Sequence, residues 1–117
     1  MSVWQEAIDE QTWVVNVNGR LDQELTRELD THLTNLLAAN HNTIIVDLSK
    51  TDYINSGGLR CLVSAWRRAK ASEGSLSLCG LNPRLQEIFT MVGFDKVFQI
   101  HDDCSAARTA ARQKSRS

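Results

Sequence analysis

Apolar and polar positions along this chain follow two periods, and each change of period marks an element. Residues 3–8 and 12–17 read as two short strands. In the second, Trp13, Val15 and Val17 alternate with Thr12, Val14 and Asn16, the pattern of a half-buried strand. Asp9-Glu10-Gln11 suits a hairpin loop between them. From Leu21 the period lengthens: Leu21, Leu25, Leu29, Leu33 and Leu36 form one stripe of a helix, with Arg27, Glu28 and Asp30 on its other faces. Asp22 is placed to cap this helix, which runs to about Ala39 and stops at Asn40-His41-Asn42.

The stretch 43–69 organises the rest. Residues 43–48 are an apolar, β-branched run that reads as a buried strand. A polar connection follows over 50–55. A helical period then starts at Ser56 or Gly57, with Leu59, Leu62, Val63, Trp66 and Ala69 on one face. Leu76, Leu78 and Cys79 form a further short strand. Asn82-Pro83 opens a helix, with Asn as cap and Pro in the first turn. Its apolar positions are Leu85, Ile88, Phe89 and Val92, and Gly93 stops it. Residues 97–100 read as a last strand, and Asp102-Asp103 begins a helix through Ala106, Ala107, Ala110 and Ala111.

The order β-β-α-β-α-β-α-β-α predicts an α/β fold with a mixed sheet of four or five strands and helices packed on it. Strand-helix-strand units give parallel pairs through right-handed crossovers, and the opening hairpin adds an antiparallel pair. Leu29, Ile45, Leu59, Leu62 and Trp66 are expected to be mostly buried. With 117 residues and 42% hydrophobic content, the chain is read as a single domain over 1–117, its core at about 3–110 and a basic flexible tail at 111–117. No repeat and no linker interrupts it.

Composition excludes several classes. Thirteen basic and fourteen acidic residues leave a net charge of -1, with no sign of a nucleic-acid groove. No apolar run approaches the roughly 18 residues of a membrane span, and no basic segment precedes an apolar core as in a signal peptide. Direct membrane insertion is therefore not expected. Cys61, Cys79 and Cys104, odd in number and widely spaced, are expected to be reduced thiols in a cytoplasmic protein. His32, His41 and His101 lack ligand spacing to one another or to a cysteine pair, and phosphate-binding glycine loops and a nucleophile elbow are missing. The chain reads as a non-enzyme with no catalytic residue, no metal site and no cofactor.

One turn stands out chemically. Asn55-Ser56-Gly57-Gly58 puts a serine at a helix start beside two residues without side chains. Each glycine lowers helix propensity by about 1 kcal/mol relative to alanine. They would leave the Ser56 hydroxyl uncovered and admit a partner backbone or a phosphate. A phosphate there would sit where free N–H groups and the helix dipole favour an anion. The plain alternative is that Ser56 is a cap and the glycines a turn. Asp22, Asp47 and Asp52 would converge near this start, or else serve as caps and solvated loop charges. Arg67, Arg68 and Lys70 read as a solvated face able to dock an acidic partner.

The run VDLSKTDYINSGGL resembles the signature of the STAS domain, the fold of anti-sigma factor antagonists. Asp47 matches the Asp ending the strand, Ile54 the apolar loop residue, and Asn55-Ser56-Gly57-Gly58-Leu59 the segment opening the helix. Gly19-Arg20-Leu21-Asp22 with its leucine-striped helix, and residues 81–98, are also similar to the family. Two positions depart from the common pattern, Asn55 for Asp and Gly57 for a second hydroxyl residue. The resemblance implies that Ser56 is the phosphoacceptor and that Asp22, Asn55, Ser56, Gly57, Gly58 and Leu59 contact the partner. It implies an anti-sigma factor serine kinase as that partner, bound in the unphosphorylated state, and a PP2C-type phosphatase that resets the switch. The alternative it offers is a non-phosphorylated STAS subunit of a transporter, of the lipid-transport ATPase type.

Overall fold

The computed structural model describes residues 1–115, with side chains described through Ala111. Its elements, in chain order, are β1 (Ser2–Ala7), β2 (Thr12–Asn18), α1 (Gln23–Ala38), β3 (Thr43–Lys50), α2 (Ser56–Ala71), β4 (Ser75–Cys79), α3 (Pro83–Met91), a 3-10 turn (Phe94–Lys96), β5 (Gln99–His101) and α4 (Cys104–Ser115). The five strands form one sheet in the order β1-β2-β3-β4-β5. β1 pairs antiparallel with β2, and the three remaining pairs are parallel. The mixed α/β sheet expected from the sequence is thus the fold found.

Chain order and spatial order coincide, and this decides the layering. When each parallel strand is added beyond the last through a crossover of one hand, every crossover helix falls on the same face. α1, α2 and α3 accordingly share one core with the sheet. Leu25, Leu29, Leu33 and Leu36 of α1, Leu62 and Ala69 of α2, and Leu85 and Phe89 of α3 pack over Val15, Val17, Ile44, Val46, Leu48, Leu76 and Leu78. Leu21, expected to begin the α1 stripe, instead lies before the helix and bridges to Ile54.

The other face is closed by α4. Val14 and Ile45 pack there against Ala107 and Ala111, with Cys79 and the flanking Ile8 and Cys104. β2 is therefore covered on both sides and is not the half-buried strand its alternation predicts; even Thr12 and Asn16 are buried. Asn16 Nδ2 donates to Glu6 Oε1 at 2.7 Å, which offsets the cost of burying its amide. Of the basic tail expected over 111–117, residues 112–117 lie outside those whose side chains are described.

Two local expectations are corrected. Gly93 adopts a positive φ of 78°, so the chain turns there, and Phe94 and Phe98 pack edge-on against Phe89 at 6.3 Å. The 3-10 turn occupies residues 94–96 and delays the last strand to 99–101. The cysteines also differ from expectation. Cys79 and Cys104 are joined in a disulfide, leaving Cys61 free. A separation of 25 residues carried no pairing signal; the two meet because α4 folds back over the end of β4. The cysteine count therefore no longer argues for a reducing compartment. No described helix is long and apolar enough to cross a membrane.

The shared core makes a quantitative expectation. Leu62 is fully buried whereas Leu59 and Val63 are only half-buried. Leu62→Ala is expected to lower stability by about 2–5 kcal/mol, and Val63→Ala by clearly less, as read from urea unfolding midpoints at constant slope. Equal losses would mean that the helix is seated differently.

Candidate functional site

The site is built by the extension of β2 and β3 beyond the sheet proper. Their regular pairing ends with Asn18 opposite Lys50 after a register shift. It resumes as a parallel bridge between Leu21 and Ile54. The Leu21 amide donates to the Tyr53 carbonyl at 2.8 Å, and the Asn55 amide to the Leu21 carbonyl at 3.1 Å. Both bridge residues are buried, so the contact is anchored in the core. The next residues, Asp22 and Asn55, therefore start α1 and α2 side by side, at the carboxyl ends of parallel strands where α/β proteins place their sites.

Each start is capped by its own Asx side chain. Asp22 Oδ1 accepts from the Leu25 amide at 3.0 Å, and Asn55 Oδ1 accepts from the Gly58 amide at 2.8 Å. Asp22 is thus the cap its position predicts. Ser56 is not a cap: it is the first residue of α2 and is exposed. Because Asn55 does the capping, the Ser56 hydroxyl is left at the surface.

The two glycines differ. A Cβ on Gly58 would come within 2.7 Å of Ile54 Cγ1 and 3.4 Å of Thr26 Oγ1, so this residue lets α2 approach the bridge and α1 closely. A Cβ on Gly57 would meet only Asn55 Oδ1 at 3.4 Å and Arg60 Nη2 at 3.8 Å, ordinary contacts. The fold requires glycine at 58 and not at 57. The same distances show that the Arg60 guanidinium turns back toward the helix start, one residue from Ser56.

The buried face of α2 is rotated from the one expected. Gly58, Leu62, Ala65 and Ala69 point into the core. Leu59, Val63 and Trp66 sit at its rim, packed against it but half-buried. Trp66 lies edge-on to Phe98 at 6.3 Å, and Lys70 Nζ is 5.9 Å from its ring centre. The rotation opens a groove of about 780 Å³ beginning at Ser56. Its apolar floor is Leu59, Val63 and Phe94, and its polar wall is Arg60, Ser64, Arg67 and Arg68. Among the described residues no carboxylate lines it. Arg68 Nη1 is held by Thr34 Oγ1 at 3.1 Å. On the other side of the turn, Arg20 stacks on Tyr53 with its guanidinium carbon 4.0 Å from the ring centre.

Sequence reasoning named Asp22, Asn55, Ser56, Gly57, Gly58 and Leu59, and these stand on one connected edge. It gives no sign of Arg60, Val63 and Phe94 as a surface, since the helical period puts Val63 on the core face and nothing local marks the 3-10 turn that presents Phe94. The arginines at 67 and 68 were the available signal. Asp47 does not join Asp22. It alternates with the buried Val46 and Leu48 and so points to the α4 face, where it binds Ser49. Asp52 is exposed in the loop. Burial, aided by the nearby Asp30 carboxylate, pushes the Cys61 thiol up to about 12, so it is not a nucleophile at neutral pH.

A family model described as "Mlab, STAS domain" matches residues 4–100. A Bordetella bronchiseptica protein named "Putative anti-sigma factor antagonist BtrV" is 28% identical over 94 residues, covering 80% of this chain and 81% of that protein. Among solved structures, an anti-sigma factor antagonist from Mycobacterium paratuberculosis superposes with a TM-score of 0.83 at 22% identity, over 95% of this chain and 93% of that one. The Bacillus cell fate determinant SpoIIAA in its phosphorylated form gives 0.75 at 18% identity, over 91% and 96%. At these identities the structural likenesses speak for the fold.

The geometry separates the roles of the two glycines in a testable way. Gly57→Ala is expected to leave stability unchanged or raise it by up to about 1 kcal/mol, the helix preference of alanine over glycine. Gly58→Ala is expected to lower it, because Ile54 must move. Thermal melts of both variants check this; an equal loss in both would mean that residue 57 is also sterically confined.

Proposed function

The chain belongs to the STAS domain family, and from that premise we propose that it is an anti-sigma factor antagonist controlled by reversible phosphorylation of Ser56. The observation carrying this reading is the exposed Ser56 at the first turn of α2, relieved of capping by Asn55 and standing at the mouth of an arginine-walled apolar groove. Neighbouring hydroxyls are less suited. Thr51 is 2% exposed, with its hydroxyl directed to the Val17 carbonyl, and the Ser49 hydroxyl donates to Asp47 at 2.6 Å.

In this reading the unphosphorylated protein docks an anti-sigma factor serine kinase in the cytoplasm through Asp22, the 55–59 turn and the groove. The floor supplies apolar area and the arginines attract acidic groups. The protein itself performs no chemistry. A phosphate adds about -1.5 to -2 charges. Placed at the N-terminus of α2 beside Arg60, it is favourable within the domain by about 0.3–1 kcal/mol. The same charge offsets the arginines and repels an acidic partner, so the switch acts on affinity and not on folding. Asn55 keeps a second negative charge away from the phosphoacceptor. A phosphatase of the PP2C type restores the binding form. Gly57, where a switch of this kind carries a second hydroxyl, is the one observation favouring a second reading: a STAS subunit of a transporter, of the lipid-transport ATPase type, whose turn docks without phosphorylation.

Affinity capture from the native cell, followed by phosphopeptide mapping and titration calorimetry with the captured partner, tests the proposal. Ser56 is expected to be the sole phosphorylated residue. Ser56→Ala should hold affinity within about twofold, as for a surface substitution of ±0.5 kcal/mol. Ser56→Asp should weaken binding without lowering the melting temperature. Arg67→Glu should weaken it by on the order of tenfold and flatten its salt dependence. Phosphate on Ser49 or Thr51, or none while the partner is bound and active, overturns the switch and favours the transporter subunit.

A further inference from the structure

On the face of the sheet opposite the docking groove, Asp47, Cys79 and Cys104 bring a carboxylate oxygen and two sulfurs within 4.8 Å of one another. We propose that, once the Cys79–Cys104 disulfide is reduced, these three residues bind a thiophilic divalent cation of the zinc type, water completing the tetrahedron. The proposal is independent of the partner switch described above.

The fold carries it in several ways. The ligand types are those of zinc: two thiolates and one carboxylate. A tetrahedral zinc with bonds of about 2.3 Å holds two sulfurs roughly 3.8 Å apart. Both sulfurs and the Asp47 carboxylate already lie within 4.8 Å of one another, so small side-chain rotations reach that spacing once the bond is reduced. The carboxylate is oriented in advance, since Asp47 Oδ1 accepts from both the amide of Ser49 at 2.9 Å and its hydroxyl at 2.6 Å. This is the outer support that metal-binding carboxylates use. Finally, the cluster is not sealed. Cys104 lines a shallow surface depression with Ser49, Gly80, Leu81, Asp102 and Asp103, whose exposed carboxylates draw cations toward it.

The chemistry balances in two steps. A dithiol reductant delivers two electrons and two protons to the Cys79–Cys104 bond and leaves as its own disulfide. The two thiols then lose their protons to solvent as the cation forms two metal–sulfur bonds. A cysteine pair in a reducing compartment is more often a metal site than a persistent bridge. Either state ties the start of α4 to the end of β4, so α4 stays on the second face of the sheet whether the pair is oxidised or metallated. That matters because α4 is held there otherwise mainly by two alanines, Ala107 and Ala111.

Cobalt(II) titration of the full chain tests this, after reduction with a phosphine and its removal under anaerobic conditions. A thiolate-to-cobalt charge-transfer band saturating at one equivalent, bleached by zinc, is expected. The unreduced chain should show no band. Cys104→Ser, at the half-exposed end of the pair, should abolish it, with circular dichroism confirming the fold. Asp47→Ala should weaken cobalt binding at least about tenfold. Cys61→Ser should leave the band unchanged. Absence of a band in the reduced chain, a band surviving Cys104→Ser, or full affinity in Asp47→Ala overturns the proposal.

Discussion

The parallel bridge between Leu21 and Ile54 is the contact on which the functional edge depends. It prolongs the β2–β3 pairing past the register shift at Asn18 and Lys50 and seats two buried apolar side chains between the sheet and the helices. Because the bridge fixes Leu21 beside Ile54, the residues after them start two helices at one level. Gly58 then allows α2 to lie against Ile54 and Thr26 at a distance that any larger residue would lengthen. Without this close approach, Ser56 and Asp22 would stand farther apart along the same edge.

A division of labour follows at the start of α2. The free amides of the first turn need an acceptor, and Asn55 supplies it to Gly58. Ser56 is then spared the duty that serine commonly has at such a position and presents its hydroxyl outward. The rotation of the helix has a parallel effect. Small residues, Gly58, Ala65 and Ala69, fill much of the buried face, so the helix sits close to the sheet and its larger apolar residues are displaced to the rim. Leu59 and Val63, left half-exposed between arginines, make a surface that is apolar in its floor and cationic along its wall.

The two faces of the sheet are stabilised differently. Leucines of α1 and aromatic residues around α3 give the first face a deep core. The second rests on alanines, two strand residues and the Cys79–Cys104 link. The exposed contact between Arg108 and Glu6, 3.4 Å long, adds little in water. The covalent link therefore has its largest structural effect where noncovalent burial is smallest.

The sequence by itself determined the order of the elements, the helix caps and the parallel character of the sheet. These depend on interactions within about four residues or on the period of burial, both of which are written along the chain. Asp22 and Asn82 were legible as caps for that reason, and the serine beside two glycines was legible as a site because its oddity is local. Tertiary structure decided what depends on which element covers which. β2 is buried on both faces only because α4 returns over Val14. Asp47 is parted from Asp22 because strand alternation sends it to the far face. The α2 groove exists because small residues outcompeted Leu59, Val63 and Trp66 for the core, a choice made by interhelical distance and not by hydrophobicity. The joining of Cys79 to Cys104 likewise had no local mark: it follows from the return of a C-terminal helix onto a strand end 25 residues earlier.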